Sequence, residues 1–169
     1  VAVVNEGLLV AEPPVLWLCP DIQGKQRCDE KVKLADYATN HERVSMEHLE
    51  NGLLLGLDNW IYNAKSDRRF RLQGDDIRIE KTLARGQWGI AEDNQGRLFY
   101  NTNSNFLSGD LFRAHSLQGS SRGLGKQIST GDEVFSVRVN PGVNRAYLDG
   151  VLREDGRLKS PTAVSGLAV

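Results

Sequence analysis

The chain has 169 residues, 40% hydrophobic and 25% charged, a balance that excludes a disordered or fibrous protein and is enough for one buried core. Its 21 basic and 22 acidic residues nearly cancel, so no long-range field favours nucleic acid or an anionic membrane face as partner. No apolar run reaches the ~18 residues of a membrane span, and Val1-Ala2-Val3-Val4-Asn5 has no basic segment before it, so neither a span nor an intact signal peptide is expected.

In chain order, Leu8-Leu9-Val10-Ala11, Val15-Leu16-Trp17-Leu18 and the alternating Lys31-Val32-Lys33-Leu34 are short β patterns. They read as the last three strands of one unit, a partial blade over 1–37. Cys19 and Cys28 flank Pro20-Asp21-Ile22-Gln23-Gly24-Lys25-Gln26-Arg27, a stretch with turn chemistry. That placement suits a disulfide stapling a hairpin; two inert thiols or a metal pair are the alternatives, the last poor for want of a nearby third ligand. A bridge implies an oxidising compartment, periplasmic or extracellular.

An internal repeat decides the architecture. Gly52-Leu53-Leu54-Leu55-Gly56-Leu57-Asp58-Asn59-Trp60-Ile61-Tyr62-Asn63-Ala64-Lys65-Ser66 is echoed by Gly89-Ile90-Ala91-Glu92-Asp93-Asn94-Gln95-Gly96-Arg97-Leu98-Phe99-Tyr100-Asn101-Thr102-Asn103-Ser104, with one residue of difference expected in the turn. Each copy is an apolar run, an Asp/Asn/Gly turn and an apolar-aromatic run, which is how a hairpin is written. Between them Arg69-Phe70-Arg71-Leu72 and Ile77-Arg78-Ile79-Glu80 alternate about a turn at Gln73-Gly74-Asp75-Asp76. Residues 48–83 are therefore predicted as a complete four-stranded blade, and 87–169 as the following one.

A meander repeating at roughly 40 residues is the signature of a β-propeller, so the predicted fold class is all-β: a propeller fragment of two to three four-stranded antiparallel blades. Gly- and Ser-rich sequence over about 105–160, notably Gln118-Gly119-Ser120-Ser121-Arg122-Gly123-Leu124-Gly125, reads as a long insertion, and Ala163-Val164-Ser165-Gly166-Leu167-Ala168-Val169 as a last strand. A ring needs about four blades, so the chain is expected to be cut at both ends, with the remainder of a larger chain or complex as the partner that completes it.

The segment His48-Leu49-Glu50-Asn51-Gly52-Leu53-Leu54-Leu55-Gly56-Leu57-Asp58-Asn59-Trp60-Ile61-Tyr62 resembles the stretch of soluble pyrroloquinoline-quinone glucose and sorbosone dehydrogenases that carries a catalytic His, a Gly-Pro-Asp-Gly turn and a Tyr-ending strand. Glu47-His48-Leu49-Glu50-Asn51-Gly52, Arg85-Gly86-Gln87-Trp88-Gly89 and Asn140-Pro141-Gly142-Val143-Asn144-Arg145-Ala146-Tyr147 resemble more closely a group of large bacterial membrane-bound dehydrogenases, whose propeller is often joined to a c-type cytochrome domain. The resemblance implies His48 as the base that removes a hydroxyl proton while hydride passes to pyrroloquinoline quinone, and Arg85 beside that cofactor. It implies a periplasmic quinoprotein-like oxidoreductase of a sugar or alcohol that passes electrons to a c-type cytochrome. The chemistry suits these residues: an imidazole accepts a proton near neutral pH, and a guanidinium stabilises oxyanions. Two departures stand out, Leu57 for the turn proline and Gly86 where the sugar dehydrogenases have Asn.

Each assignment has a plainer counterpart. His48 lines a channel or bonds locally in its loop; Arg85 meets a cofactor or pairs with a neighbouring blade's carboxylate. Glu47 and Glu50 tune His48 or sit as exposed loop carboxylates. His41 and His115 are expected at the surface. Arg69 and Arg71 share one face of a strand, read as solvated, and Trp17, Trp60 and Trp88 as core more than sugar-stacking platforms. Asp21-Ile22-Gln23-Gly24-Lys25 with Asp29 resembles a calcium loop, although Gln23 and Lys25 replace two acids and a lysine opposes a cation. Asn101, Asn103 and Asn105 read as polar caps of a hairpin end. With no Cys-x-x-Cys-His, this segment attaches no haem. The rival function is a non-catalytic propeller scaffold that binds protein or glycan in a larger, electron-transferring complex.

Overall fold

The computed structural model describes residues 1–5, 7–20, 27–37, 41–74, 76–113, 127–129, 149–150, 152–157, 159 and 164–168. Three four-stranded antiparallel meanders follow one another. The first is β1 (Ala2–Val4), β2 (Gly7–Glu12), β3 (Val15–Pro20) and β4 (Val32–Asp36). The second is β5 (Asn51–Leu55), β6 (Ile61–Ala64), β7 (Arg68–Gln73) and β8 (Asp76–Lys81); the third is β9 (Ile90–Glu92), β10 (Leu98–Thr102), β11 (Asn105–Asp110) and β12 (Gln127–Ser129).

Alternation explains which face each sheet buries. Leu9 on β2, Leu16 on β3 and Ala35 on β4 are buried, and the register sets Leu16 opposite Ala35. They meet Ile61 and Phe70 of the second sheet, with Tyr37 edge-on to Phe70 at 5.7 Å, so the first core lies between two sheets. A second, formed by Trp60, Tyr62 and Leu98, lies between the second and third. The first strands of the meanders are neighbours: β5 touches both β1 and β9. Three meanders packed face to face, with their first strands inward, are an open arc of a β-propeller. No helix among the described residues is long and apolar enough to cross a membrane.

The β3–β4 hairpin is closed by a Cys19–Cys28 disulfide with Cα atoms 5.6 Å apart, as its turn chemistry predicts.

Four expectations are corrected. The first unit has a complete set of four strands, because Ala2–Val4 adds β1. Residues 105–110 belong to the third sheet as β11, not to an insertion, and 127–129 supply its fourth strand. Residues 164–168 form no strand; Gly166 and Leu167 lie beside Gly89. The one-residue difference between the repeat copies is not in the turn. In both, the amide of the first turn residue donates to the carbonyl of the fifth (Gly56 to Trp60 at 2.8 Å, Asp93 to Arg97 at 3.1 Å), so the extra residue falls in β10.

The same turn occurs a third time. Arg153 N–H donates to Arg157 O at 2.7 Å and Gly156 N–H to Arg153 O at 3.0 Å, matching Gly96 N–H to Asp93 O at 3.0 Å. Asn59, Gly96 and Gly156 hold the left-handed position, with φ of 60°, 78° and 79°. An Asp braces each turn: Asp58 accepts the Trp60 amide, Asp93 the Gln95 and Arg97 amides, and Asp155 the Arg157 amide. Residues 152–157 therefore carry the hairpin signature of a blade within the stretch expected to be insertion.

Candidate functional site

His48 ends a short helical turn, Met46–His48, that precedes β5; its amide donates to Ser45 O at 2.8 Å. The imidazole is 41% exposed. Its Nδ1 lies 3.0 Å from Gln87 Nε2, and its Nε2 lies 3.4 Å from a Glu47 carboxylate oxygen. The Trp88 ring lies nearly parallel at 6.4 Å, and its Nε1–H donates to Glu47 O at 3.0 Å. Two loops thus converge on the imidazole, one opening the second sheet and one the third.

The backbone beneath is tied across all three sheets. Tyr37, after β4, donates to Asn63 on β6 at 3.3 Å; Asn63 donates to Asn51 O at 3.4 Å; Asn51 donates to Leu49 O at 2.9 Å and Gln87 O at 2.6 Å. Burial, with the Glu50 charge adding to it, pushes the Tyr37 phenol well above its ordinary value. Gly52, at φ 61°, permits this approach: a Cβ there would stand 3.3 Å from Gly89 Cα.

Arg85 is placed differently. It is 2% exposed and runs into the interface between the second and third sheets, where its Cζ lies 5.8 Å from the Tyr62 ring centroid. Nε donates to both Asp110 oxygens, at 3.2 and 2.9 Å, and Nη2 lies 2.8 Å from Asp110 Oδ2. Nη1 donates to Thr82 Oγ1 and Leu83 O, each at 2.9 Å. Burial raises the Asp110 carboxyl above its ordinary value, and Arg85 pulls against that rise. Of the two readings of Arg85, the structure realises the pairing with a blade carboxylate.

The arginine strand departs from expectation. Arg69 and Arg71 do share a face, but Arg69 is 1% exposed and Arg71 half-buried. Both guanidiniums stack on Trp60, each with Cζ 4.3 Å from the ring centroid. Arg69 donates to Glu80 at 2.6 Å and to Tyr62 Oη at 3.2 Å, while Arg71 donates to Asp58 O at 2.7 Å. A solvated strand is corrected to a covered one, because the Trp60 ring lies over it. Trp60 is core; Trp17 carries the Lys31 ammonium 5.2 Å from its centroid, and Trp88 faces His48. Glu50 is buried rather than an exposed loop carboxylate, whereas Glu47 is exposed.

The hairpin between Leu98–Thr102 and Asn105–Asp110 places Asn101 in the core and gives Asn105 a turn role, its Oδ1 accepting the Leu107 amide at 3.1 Å. A cleft of about 690 Å³, lined by Val3, Asn5, Leu55, Asp58 and Arg71 among others, opens at the other end of β5 from His48. Among the described residues no three His, Cys, Asp or Glu side chains gather as a metal set. Asp21 to Lys25 of the calcium-like loop, His115 and residues 140–147 lie outside the described residues, as does the His41 side chain; Asp29 is paired with Arg27 at 2.6 Å.

Gln87 and Asp110 were not singled out from sequence; the only signal for Gln87 was its place beside Trp88 ahead of the repeat's first strand. No curated protein and no solved structure matches the chain. A family model described as a domain of unknown function, DUF7133, matches residues 1–169, and the chain belongs to that family.

Proposed function

We propose that the chain forms part of an extracytoplasmic propeller oxidoreductase acting on a sugar or alcohol, in which His48 exchanges the proton at the substrate oxygen and a c-type cytochrome accepts the electrons. One observation carries the reading: the His48 imidazole is partly open to solvent where two blade loops meet, and its ring is fixed by Gln87 and Trp88. A fixed, accessible imidazole suits general acid–base work. The disulfide supports the compartment.

Arg85 does not fit a quinone ligand, since it is buried between two sheets and ion-paired with Asp110, with Nε and Nη1 donating to Asp110, Thr82 and Leu83. No step is therefore assigned to a quinone on these residues. The second reading is a scaffold whose loops bind protein or glycan.

The test uses the chain in its native assembly, supplied with pyrroloquinoline quinone and an artificial electron acceptor, against a panel of sugars and alcohols. His48→Ala is expected to lower turnover on the order of 100-fold or more while leaving the unfolding midpoint almost unchanged. Turnover equal to the parent's would remove His48 from the reaction. Absence of turnover with every substrate, together with saturable binding of a glycan or protein, would establish the scaffold instead.

A further inference from the structure

We infer that Gln87 sets the tautomer of His48, holding the resting proton on Nε2, so that the open edge of the ring meets a ligand as a hydrogen-bond donor. The inference rests on the reading of His48 as the proton-exchanging residue and names the residue that governs it.

Gln87 is 6% exposed, and each end of its amide has a neighbour. The Asn103 backbone amide lies 3.3 Å from Gln87 Oε1. A backbone N–H only donates, so the oxygen must be the end that faces Asn103. The other end, Nε2, then faces His48 Nδ1 at 3.0 Å. An NH₂ group also only donates, so Nδ1 must offer its lone pair, and the neutral ring carries its proton on Nε2. A Glu47 carboxylate oxygen lies 3.4 Å from that nitrogen, a negative charge that favours hydrogen there. The choice does not relax easily. Asn51 fixes the Gln87 backbone through a 2.6 Å bond to its carbonyl, and the Trp88 ring lies nearly parallel to the imidazole at 6.4 Å.

The consequence is chemical. In this form Nε2–H donates to an oxygen that accepts, such as a carbonyl or carboxylate. Taking a proton from a hydroxyl at Nε2, as the proposed oxidation does, requires the other tautomer, with the proton on Nδ1, so the resting form has to switch before His48 acts as a base. That in turn requires Gln87 to present its oxygen to His48 and its NH₂ to the Asn103 N–H, two donors face to face. Gln87 is thus a positioning residue: it decides which chemical face His48 shows.

Long-range ¹H–¹⁵N correlation spectra of the ¹⁵N-labelled full chain at alkaline pH report which imidazole nitrogen carries hydrogen, with the His48 signals identified by their loss in His48→Gln. The parent is expected to show a bare Nδ1 and a protonated Nε2. Gln87→Glu accepts at both ends, satisfying the Asn103 N–H and a Nδ1–H together, and is expected to place hydrogen on Nδ1. Hydrogen on Nδ1 in the parent, or a bare Nδ1 in Gln87→Glu, overturns the inference; the parent spectrum alone decides it should the variant fail to fold. The predicted spectra without turnover would sink the oxidoreductase reading and leave the role of Gln87 standing. Turnover that depends on His48, with the opposite tautomer, would do the reverse.

Discussion

Replacing Arg85 by Met removes a charge from a buried site and leaves its partner behind. The side chains of Arg85 and Asp110 are each 1% exposed, and three guanidinium-to-carboxylate approaches lie between 2.8 and 3.2 Å. Arg85→Met strands Asp110 and leaves Thr82 Oγ1 and Leu83 O without the Nη1 donor. Breaking a buried pair from one side costs about 3–5 kcal/mol, whereas replacing both partners by apolar groups is often neutral. Arg85→Met should therefore be destabilised by about 3 kcal/mol or more, and Arg85→Met/Asp110→Leu by about 1 kcal/mol or less. Urea unfolding followed by tryptophan fluorescence measures both. The pH dependence supplies a second check. Burial already holds the Asp110 carboxyl above its ordinary 3.8, with Arg85 opposing; without Arg85 it rises further. A carboxyl raised in the folded state contributes stability that is present below the unfolded value and lost as pH rises through the folded one. The deficit of Arg85→Met should thus be small in acid and grow as pH climbs from the ordinary Asp value toward neutrality. A loss under about 1 kcal/mol, or one equal at all pH, would refute the buried-pair argument.

Gly86, between Arg85 and Gln87, sits at φ 62°, and a Cβ there would stand 2.9 Å from Gly89 O and 3.1 Å from Tyr100 Cβ. Gly86→Ala should cost more than the ~1–2 kcal/mol of left-handed backbone alone; a urea midpoint equal to the parent's would show that the loop adapts. Replacing Cys19 and Cys28 by Ser should lower stability by about 2–3 kcal/mol for so short a loop, and reductant should shift the parent's midpoint equally. Glu80 is held below the ordinary carboxylate range, first by its hydrogen bond from Arg69. Its stabilising share is present above the ordinary value of 4.5 and is lost as pH falls through the lower folded value, so the difference between parent and Glu80→Gln should vanish in strong acid.

The strands were legible where turn chemistry and alternation coincide. Gly56 to Trp60 and Asp93 to Arg97 announce their hairpins through Asp, Asn and Gly, and the Cys19–Cys28 bridge followed from the same logic. Strands without those marks were missed. β1 has three residues, and β11 reads Asn-Phe-Leu-Ser-Gly-Asp, a sequence whose polar ends look like loop until β10 is beside it. Burial of charge was harder still. Alternation assigns Arg69 and Arg71 to one face, but the Trp60 ring, the Glu80 carboxylate and the Tyr62 hydroxyl that make this face an interior arrive from other strands. Gln87 was illegible for a related reason: its role depends on Asn103, sixteen residues on, and His48, thirty-nine back.

His48 and Arg85 occupy corresponding positions in the repeat, each four residues ahead of the glycines Gly52 and Gly89. The same position nevertheless points outward in one copy and inward in the other, and the blade interfaces explain why. Leu9, Leu16, Ala35, Ile61 and Phe70 fill the space between the first and second sheets with largely apolar packing, and the buried Glu50 charge there acts on Tyr37. Between the second and third sheets the filling is mixed, and Asp110 stands there with the Tyr62 ring. An arginine entering that interface closes it; a histidine ahead of the apolar one remains at the rim, where Gln87 and Trp88 from the next loop hold it. Divergence at one repeat position thus separates a buried, ion-paired side chain from a solvent-accessible one. The exchange Arg85→His should then leave Asp110 underpaired without creating a second exposed imidazole, because the interface, rather than the residue type alone, sets the direction of that side chain.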